Sequence, residues 1–131
     1  MILVDSSIYV DWLRARVEFP RQLEPWVRRG ELWTCGVINL EVLRGIRAAE
    51  QRERVAEFFN LLPQVRCDEA FWREAAELAW TLDRRGHVLP VSDLIIATAA
   101  RAVEAGLITT EEHFAKVPGL GCRRSLPSPT A

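Results

Sequence analysis

The chain alternates short, unbroken apolar runs with longer stretches in which apolar residues recur every three or four positions. The runs are Ile2-Leu3-Val4 within residues 1–5, Leu32-Trp33-Thr34-Cys35, residues 65–67, and Leu107-Ile108-Thr109. Hydrophobicity that continues rather than alternates marks a strand covered on both faces. Between the runs the spacing predicts helices. One starts at Ser6-Ser7 and carries Ile8, Val10, Trp12 and Leu13; a second spans 21–29 and stops at Gly30. A third is expected from an N-cap at Asn39 to about Gly45, and a fourth over 50–62 with Val55, Phe58, Phe59 and Leu62 on one face and Pro63 behind it. A fifth runs over 70–85 with Phe71, Ala75, Leu78, Ala79 and Leu82 inward and Gly86 at its end, and a sixth from Asp93 to about Ala105, stopped by Gly106. A helical turn follows at 111–115, and Cys122 opens a last edge strand. Strands alternating with helices in this order predict an α/β domain around a parallel sheet.

Length and composition narrow the class. At 131 residues without an internal repeat, the chain reads as one domain over 1–125 with a disordered tail over 126–131. Hydrophobic residues make up 49% and charged residues 27%, the balance of a soluble globular protein. The net charge of −1 supplies no global field for nucleic acid, which argues against a simple DNA-binding module and leaves a nuclease open. Lys116 is the only lysine among 17 basic residues, an excess of arginine read as coding bias. Three cysteines without a CxxC pair and two histidines give no basis for structural zinc, and free thiols fit a reducing compartment. No charged leader precedes a cleavable apolar stretch and no run reaches membrane-span length, so a cytoplasmic protein is expected.

Four acids then change the picture. Asp5 ends the first apolar run, Glu41 lies in the helix after the second, Asp93 heads the sixth helix, and Glu111 follows the last core strand. Ligands of open α/β sheets sit outside the carboxyl ends of the strands. Carboxylates about 5 Å apart repel by roughly 3 kcal/mol at an effective dielectric near 20, so a cluster of them persists only when protonated or joined by a cation. Carboxylate ligation with open positions suits Mg²⁺ or Mn²⁺, ions that activate water beside a phosphoryl centre. Each acid also has a plain structural reading. Asp5 can cap the first helix, and Ser92-Asp93 can be a cap with a carboxylate favoured by the helix dipole. Glu111 beside Glu112 can be surface, whereas Glu41 among Val37, Ile38, Leu40, Val42 and Leu43 is expected to be part-buried. Asp5 fits neither an aspartyl phosphatase, which needs an acid where Ser7 stands, nor a dinucleotide site, which needs a glycine-rich turn. The five tryptophans read as core or dimer-interface packing. Arg14, Arg44, Arg47, Arg84 and Arg85 can line a substrate groove, with solvated helix surface as the default; His113 can reach substrate near Glu111, with plain surface as its default.

The stretches Ile2-Leu3-Val4-Asp5-Ser6-Ser7, Glu41-Val42-Leu43-Arg44-Gly45, Ser92-Asp93-Leu94-Ile95-Ile96-Ala97 and Thr109-Thr110-Glu111-Glu112-His113-Phe114, followed by Val117-Pro118-Gly119-Leu120, give the chain a family likeness. It resembles PIN-domain ribonucleases and, among them, the VapC toxins of bacterial toxin–antitoxin pairs, over its length to about Cys122. The resemblance implies a single PIN-like domain, an α/β/α sandwich with a short, mostly parallel central sheet, usually as a homodimer. It implies Mg²⁺ or Mn²⁺ held by Asp5 and Asp93, with Glu41 completing the pocket directly or through water, Ser6 in support and Thr109 at the end of the last core strand. Position 111 departs from the family, which more often has Asp there. Glu111 then binds a second metal, reaches it through water, or leaves it to Glu112. The implied activity is RNA cleavage by metal-activated water, blocked by a cognate antitoxin whose helix or tail enters near the acids. A catalytically silent PIN-like binding module and a metal-dependent DNA nuclease stand as the alternatives.

Overall fold

A computed structural model describes residues 1–128. Four strands form one all-parallel sheet in the order β2-β1-β3-β4, with β1 at Ile2–Val4, β2 at Leu32–Trp33, β3 at Gly106–Ile108 and β4 at Cys122–Arg123. Ile2 stands opposite Leu32 on one side and Gly106 on the other. Adjacent strand residues point to opposite faces of a sheet. Ile2, Leu3 and Val4 are nevertheless all at most 6% exposed, so both faces of β1 are covered. The helices that cover them are α1 (Ser6–Arg14), α2 (Phe19–Arg28), α3 (Gly36–Arg44), α4 (Ala49–Asn60), α5 (Glu69–Arg84) and α6 (Val91–Ala102), with a 3₁₀ turn at Glu112–Lys116. The α/β domain with a short parallel sheet is therefore as expected. Of the tail expected at 126–131, residues 129–131 lie outside the described residues, and Leu126 packs part-buried against the core.

Several local expectations are corrected. Residues 65–67 form no strand: Gln64 makes one isolated parallel bridge to Thr34, and the partner segment enters α3 at Gly36, which ends the pairing after the Val65 N–H meets the Thr34 carbonyl at 2.8 Å. Asn39 is not an N-cap. The helix begins three residues earlier at Gly36, and Asn39 Oδ1 instead accepts from the Thr34 hydroxyl at 2.7 Å while its amide donates to Gln64 at 3.2 Å. Ser92 does not cap α6 either, since Pro90 takes that position and fixes a φ of −57° there. Nor does Gly106 stop that helix. Glu104 adopts a left-handed φ of 54°, and the Ala105 N–H reaches back to the Ala100 carbonyl at 2.8 Å. Arg16 ends α1 in the same way, with φ 55° and a 2.9 Å bond from Val17 N–H to the Trp12 carbonyl.

An aromatic cluster anchors α1, the helix that leads out of the site. The Tyr9 ring meets Trp12, Phe19 and Phe59 edge-on at centroid distances of 5.8, 5.4 and 5.2 Å. Burial pushes the Tyr9 phenol well above its ordinary range, and among the described residues its hydroxyl finds no hydrogen-bond partner. A buried hydroxyl without a partner costs free energy. Tyr9→Phe is therefore expected to leave stability unchanged or raise it by up to about 1 kcal/mol, whereas Tyr9→Ala should cost about 3–5 kcal/mol. Urea unfolding of both variants checks this, and a loss above 1 kcal/mol in Tyr9→Phe would reveal a partner for the hydroxyl.

Candidate active site

The site forms where the sheet changes direction. From β1 the chain crosses to β2 on one side, while β3 and β4 lie on the other, so β1 and β3 part at their carboxyl ends and leave a crevice between them. Asp5 and Thr109 occupy that crevice, the residues that follow β1 and β3. The Asp5 N–H donates to the Ile108 carbonyl at 2.9 Å, which fixes the backbone beneath the carboxylate. Asp5 stands at the N-cap of α1 yet its side chain makes no capping bond, so that structural reading is corrected. Its Oδ2 instead accepts from the Ser7 hydroxyl and the Thr109 hydroxyl, each at 2.8 Å. Thr109 Oγ1 in turn accepts from the Glu111 N–H at 3.0 Å, which ties the entry of the 3₁₀ turn to Asp5. Asp5 is 2% exposed, and so tight an environment sets its rotamer.

Ser6 links a second acid. Its hydroxyl lies 2.9 Å from Glu41 Oε1 and 3.4 Å from Asp5 Oδ1. A serine has one proton to give, and the shorter separation is the one within hydroxyl hydrogen-bond range, so Ser6 donates to Glu41. Glu41 is the sixth residue of α3 and reaches the crevice because α1 and α3 pack together.

Asp93, in the first turn of α6, is bridged to the 3₁₀ turn by His113, whose Nε2 lies 2.7 Å from Asp93 Oδ2. His113 Nδ1 lies 3.7 Å from Glu111 Oε2, and the imidazole rests against Phe114. Burial raises the Asp93 carboxyl above its ordinary 3.8; the His113 contact draws it back, Asp5 and Glu111 push it up, and the upward causes prevail. Between 3.8 and the raised value the folded protein binds more protons than the unfolded chain. Stability therefore falls as pH rises through that window, and the cost is fully present above it. Asp93→Asn removes the charge and keeps an oxygen for His113. In EDTA at pH 7 it is expected to melt higher than the wild type, with the gain vanishing well below pH 3.8, where both states hold the proton. Scanning calorimetry at the two pH values checks it, and an unchanged or lower melting point at pH 7 would contradict the sign.

Asp5, Glu41, Asp93 and Glu111 line one open cleft of about 350 Å³ together with Ser6, Ser7, Asp11 and Arg14. A larger cleft of about 700 Å³, edged by Phe19, Val55 and Phe58, carries none of these four acids. Arg44 is exposed on α3 and does not line the acidic cleft, whereas His113 stands on Asp93. Sequence reasoning missed Ser7 as the second hydroxyl on Asp5, and Asp11 as a fifth acid of the cleft. The spacing Ser7, Asp11, Arg14 was the available signal, since these positions share a helix face.

The donor set suits a hard divalent cation in kind: oxygen ligands only, carboxylates from four separate elements, and hydroxyls that orient two of them. Among the described residues, no three His, Cys, Asp or Glu side chains converge closely enough to cage an ion as they stand. Asp93 is held toward His113 and Glu41 toward Ser6.

Comparison with known proteins follows the same line. The family profile described as PIN domain matches residues 2–120. A chain of the VapBC2 complex of Rickettsia felis, solved on a promoter DNA fragment, superposes with a TM-score of 0.77 at 22% identity, covering 94% of this chain and 98% of that one. A chain of DNA-bound VapBC from Salmonella typhimurium gives 0.78 at 18% identity with the same coverage, and one of VapBC-1 from Haemophilus influenzae gives 0.71 at 21%, covering 94% and 97%. At these identities the likeness establishes the fold. No curated protein matches the chain in sequence.

Proposed function

The chain belongs to the PIN-domain family, and from that premise we propose that it is a Mg²⁺- or Mn²⁺-dependent endoribonuclease, the toxin of a toxin–antitoxin pair. The observation that carries the reading is the meeting of Asp5, Glu41, Asp93 and Glu111 in one cleft at the carboxyl ends of β1 and β3. Fold alone would not support it, because one fold hosts many functions. One of the solved structures that the chain resembles is a toxin–antitoxin complex from Klebsiella pneumoniae, and this supports a protein partner.

Asp5 and Asp93 would hold the ion, with Glu41 completing the set and Glu111 at its open edge. When bound, the ion supplies an activated water and offsets the charge that develops at the phosphoryl group. The chain's own residues set the stage for this. Thr109 and Ser7 fix Asp5, Ser6 presents Glu41, and His113 holds Asp93 on the far side of the crevice. A phosphodiester laid across the acids would meet carboxylates from both sides of the sheet's crevice. Glu111 is about half exposed; its backbone N–H is held by Thr109, and its carboxylate has the 3.7 Å approach of His113 Nδ1. Glu111→Gln is therefore expected to lower kcat/KM by about tenfold, less than loss of Asp93, because an exposed ligand is partly replaceable by water. A loss equal to that of Asp93→Ala would make Glu111 an equal partner in the metal set.

The deciding experiment is cleavage of a structured RNA pool by the purified protein in Mg²⁺, Mn²⁺ and EDTA, with a single-stranded and duplex DNA panel alongside. Metal-dependent cutting of RNA supports the proposal. Cutting of DNA in preference to RNA, or a protein that binds RNA and cuts nothing with either metal, overturns it.

A further inference from the structure

Glu41 reaches the acidic cleft from the middle of α3, so its place depends on how that helix is turned about its axis. The buried residues of α3 are Ile38 and Val42. At about 100° per residue, Asn39 lies about 80° to one side of that buried stripe and Glu41 about 80° to the other. The Ser6 hydroxyl holds the Glu41 flank at 2.9 Å. A relay of side chains holds the Asn39 flank, and its direction follows from one end. Gln64 Nε2 donates at 3.1 Å to the Phe59 carbonyl, in the last turn of α4, which leaves Gln64 Oε1 as an acceptor. Asn39 Nδ2 donates to that oxygen at 3.2 Å, and Asn39 Oδ1 is left to accept from the Thr34 hydroxyl at 2.7 Å. Thr34 is fully buried just beyond β2, so water does not compete for its proton. The relay stands where the chain makes a single bridge, Thr34 to Gln64, and it ties the end of β2 to α3 and to the end of α4.

We propose that Thr34, Asn39 and Gln64 are positioning residues that fix the rotation of α3 and thereby the place of the Glu41 carboxylate, an assignment that rests on the metal-dependent function above. Packing of Ile38 and Val42 alone resists a small turn weakly, because apolar contact is not directional. Hydrogen bonds are directional, and those on Asn39 and Glu41 hold α3 on opposite flanks. The leverage is large. A group about 6 Å from the helix axis moves about 1 Å when the helix turns by about 10°. An error of about 1 Å can cost about a hundredfold where groups must meet in one geometry.

The test is a double-mutant cycle read by titration calorimetry with Mn²⁺. Asn39→Ala is expected to weaken Mn²⁺ binding about tenfold, the low end for residues that orient a metal ligand. Gln64→Ala, at an exposed residue, leaves the Thr34 bond in place and should weaken it about threefold, the worth of one modest hydrogen bond. In a Glu41→Ala background Asn39→Ala should change the affinity by less than about twofold, because the group it places is gone. The same loss in both backgrounds, or no loss in either, marks a role confined to stability and overturns the proposal. If Asn39→Ala does not fold, Gln64→Ala carries the same cycle. A crystal structure of the folding variant in EDTA supplies a readout without metal. The Ser6–Glu41 contact should open beyond hydrogen-bond range, and a contact kept at 2.9 Å overturns the proposal. Failure of the nuclease reading looks different: the wild type would take up no Mn²⁺ and cut no RNA, while the crystal structure would still decide whether the relay sets Glu41.

Discussion

Asp5→Ala and Asp93→Ala are each expected to lower kcat/KM on RNA by about a thousandfold or more, about 4 kcal/mol of transition-state stabilisation. The magnitude follows from position. Asp5 projects from the end of β1 and Asp93 from the first turn of α6, two elements that no local adjustment can bring together by another route. Removing either carboxylate leaves the others to repel without the cation that would join them. No neighbour can take over for Asp5, because the closest acid on its own helix, Asp11, lies more than a turn away. Both variants should still fold. In Asp5→Ala the hydroxyls of Ser7 and Thr109 lose their shared acceptor, a loss that relief from the other acids partly offsets. In Asp93→Ala the cost of holding a carboxyl raised by burial disappears. Circular dichroism should therefore match the wild type, and titration calorimetry with Mn²⁺ should lose its heat in both proteins. Wild-type cleavage by both variants would sink the assignment of the site.

The expected rise in melting temperature for Asp93→Asn and the expected loss of activity for Asp93→Ala describe one arrangement from two directions. On the proposed function, a carboxyl that burial and neighbouring acids make costly is retained because it would hold a cation, and stability is exchanged for function at that position. The same logic separates what could be read from the sequence from what could not. Asp5, Glu41 and Asp93 were legible because each stands at a place the hydrophobic pattern itself defines: the end of an apolar run, an apolar helical turn, the head of an apolar helix. Thr109 and His113 were named too, the first through the family resemblance, but their pairings were not, since Thr109 is 104 residues from Asp5 and His113 is 20 from Asp93, and the tertiary fold brings them together. Helix ends divide in the same manner. Gly30 and Gly86 announced theirs by residue type, and both have positive φ. Arg16 and Glu104 adopt the same left-handed backbone with side chains that carry no such signal, so the end of α6 was placed three residues too late. Arg44 shows the converse: a plausible residue type on the helix that carries Glu41, exposed and outside the lining of the acidic cleft.

Thr109→Val is expected to lower kcat/KM by about 10- to 100-fold and to destabilise the protein by about 2–3 kcal/mol, a fall in melting temperature of roughly 5–10 °C. Valine keeps the shape of threonine and removes the hydroxyl, so packing is not the cause. Thr109 is 3% exposed, and water cannot replace the lost group easily. Its hydroxyl makes two bonds that do different work. The donated bond to Asp5 Oδ2 holds the carboxylate across the crevice, and without it Ser7 alone orients that oxygen. The accepted bond from the Glu111 N–H fixes the entry of the 3₁₀ turn, and the same turn carries His113 onto Asp93. One hydroxyl thus couples Asp5, Glu111 and, through the turn, Asp93, which is why its removal should cost more than that of a single surface hydrogen bond. Thr109→Ser separates the chemistry from the fit, since serine keeps both bonds and loses only a methyl group. It should hold activity near the wild-type level at a stability cost of about 1 kcal/mol. If Thr109→Val cleaves RNA as well as Thr109→Ser does, the hydroxyl is a packing feature and the coupling between the two sides of the crevice must run through Ser6 and Glu41 instead.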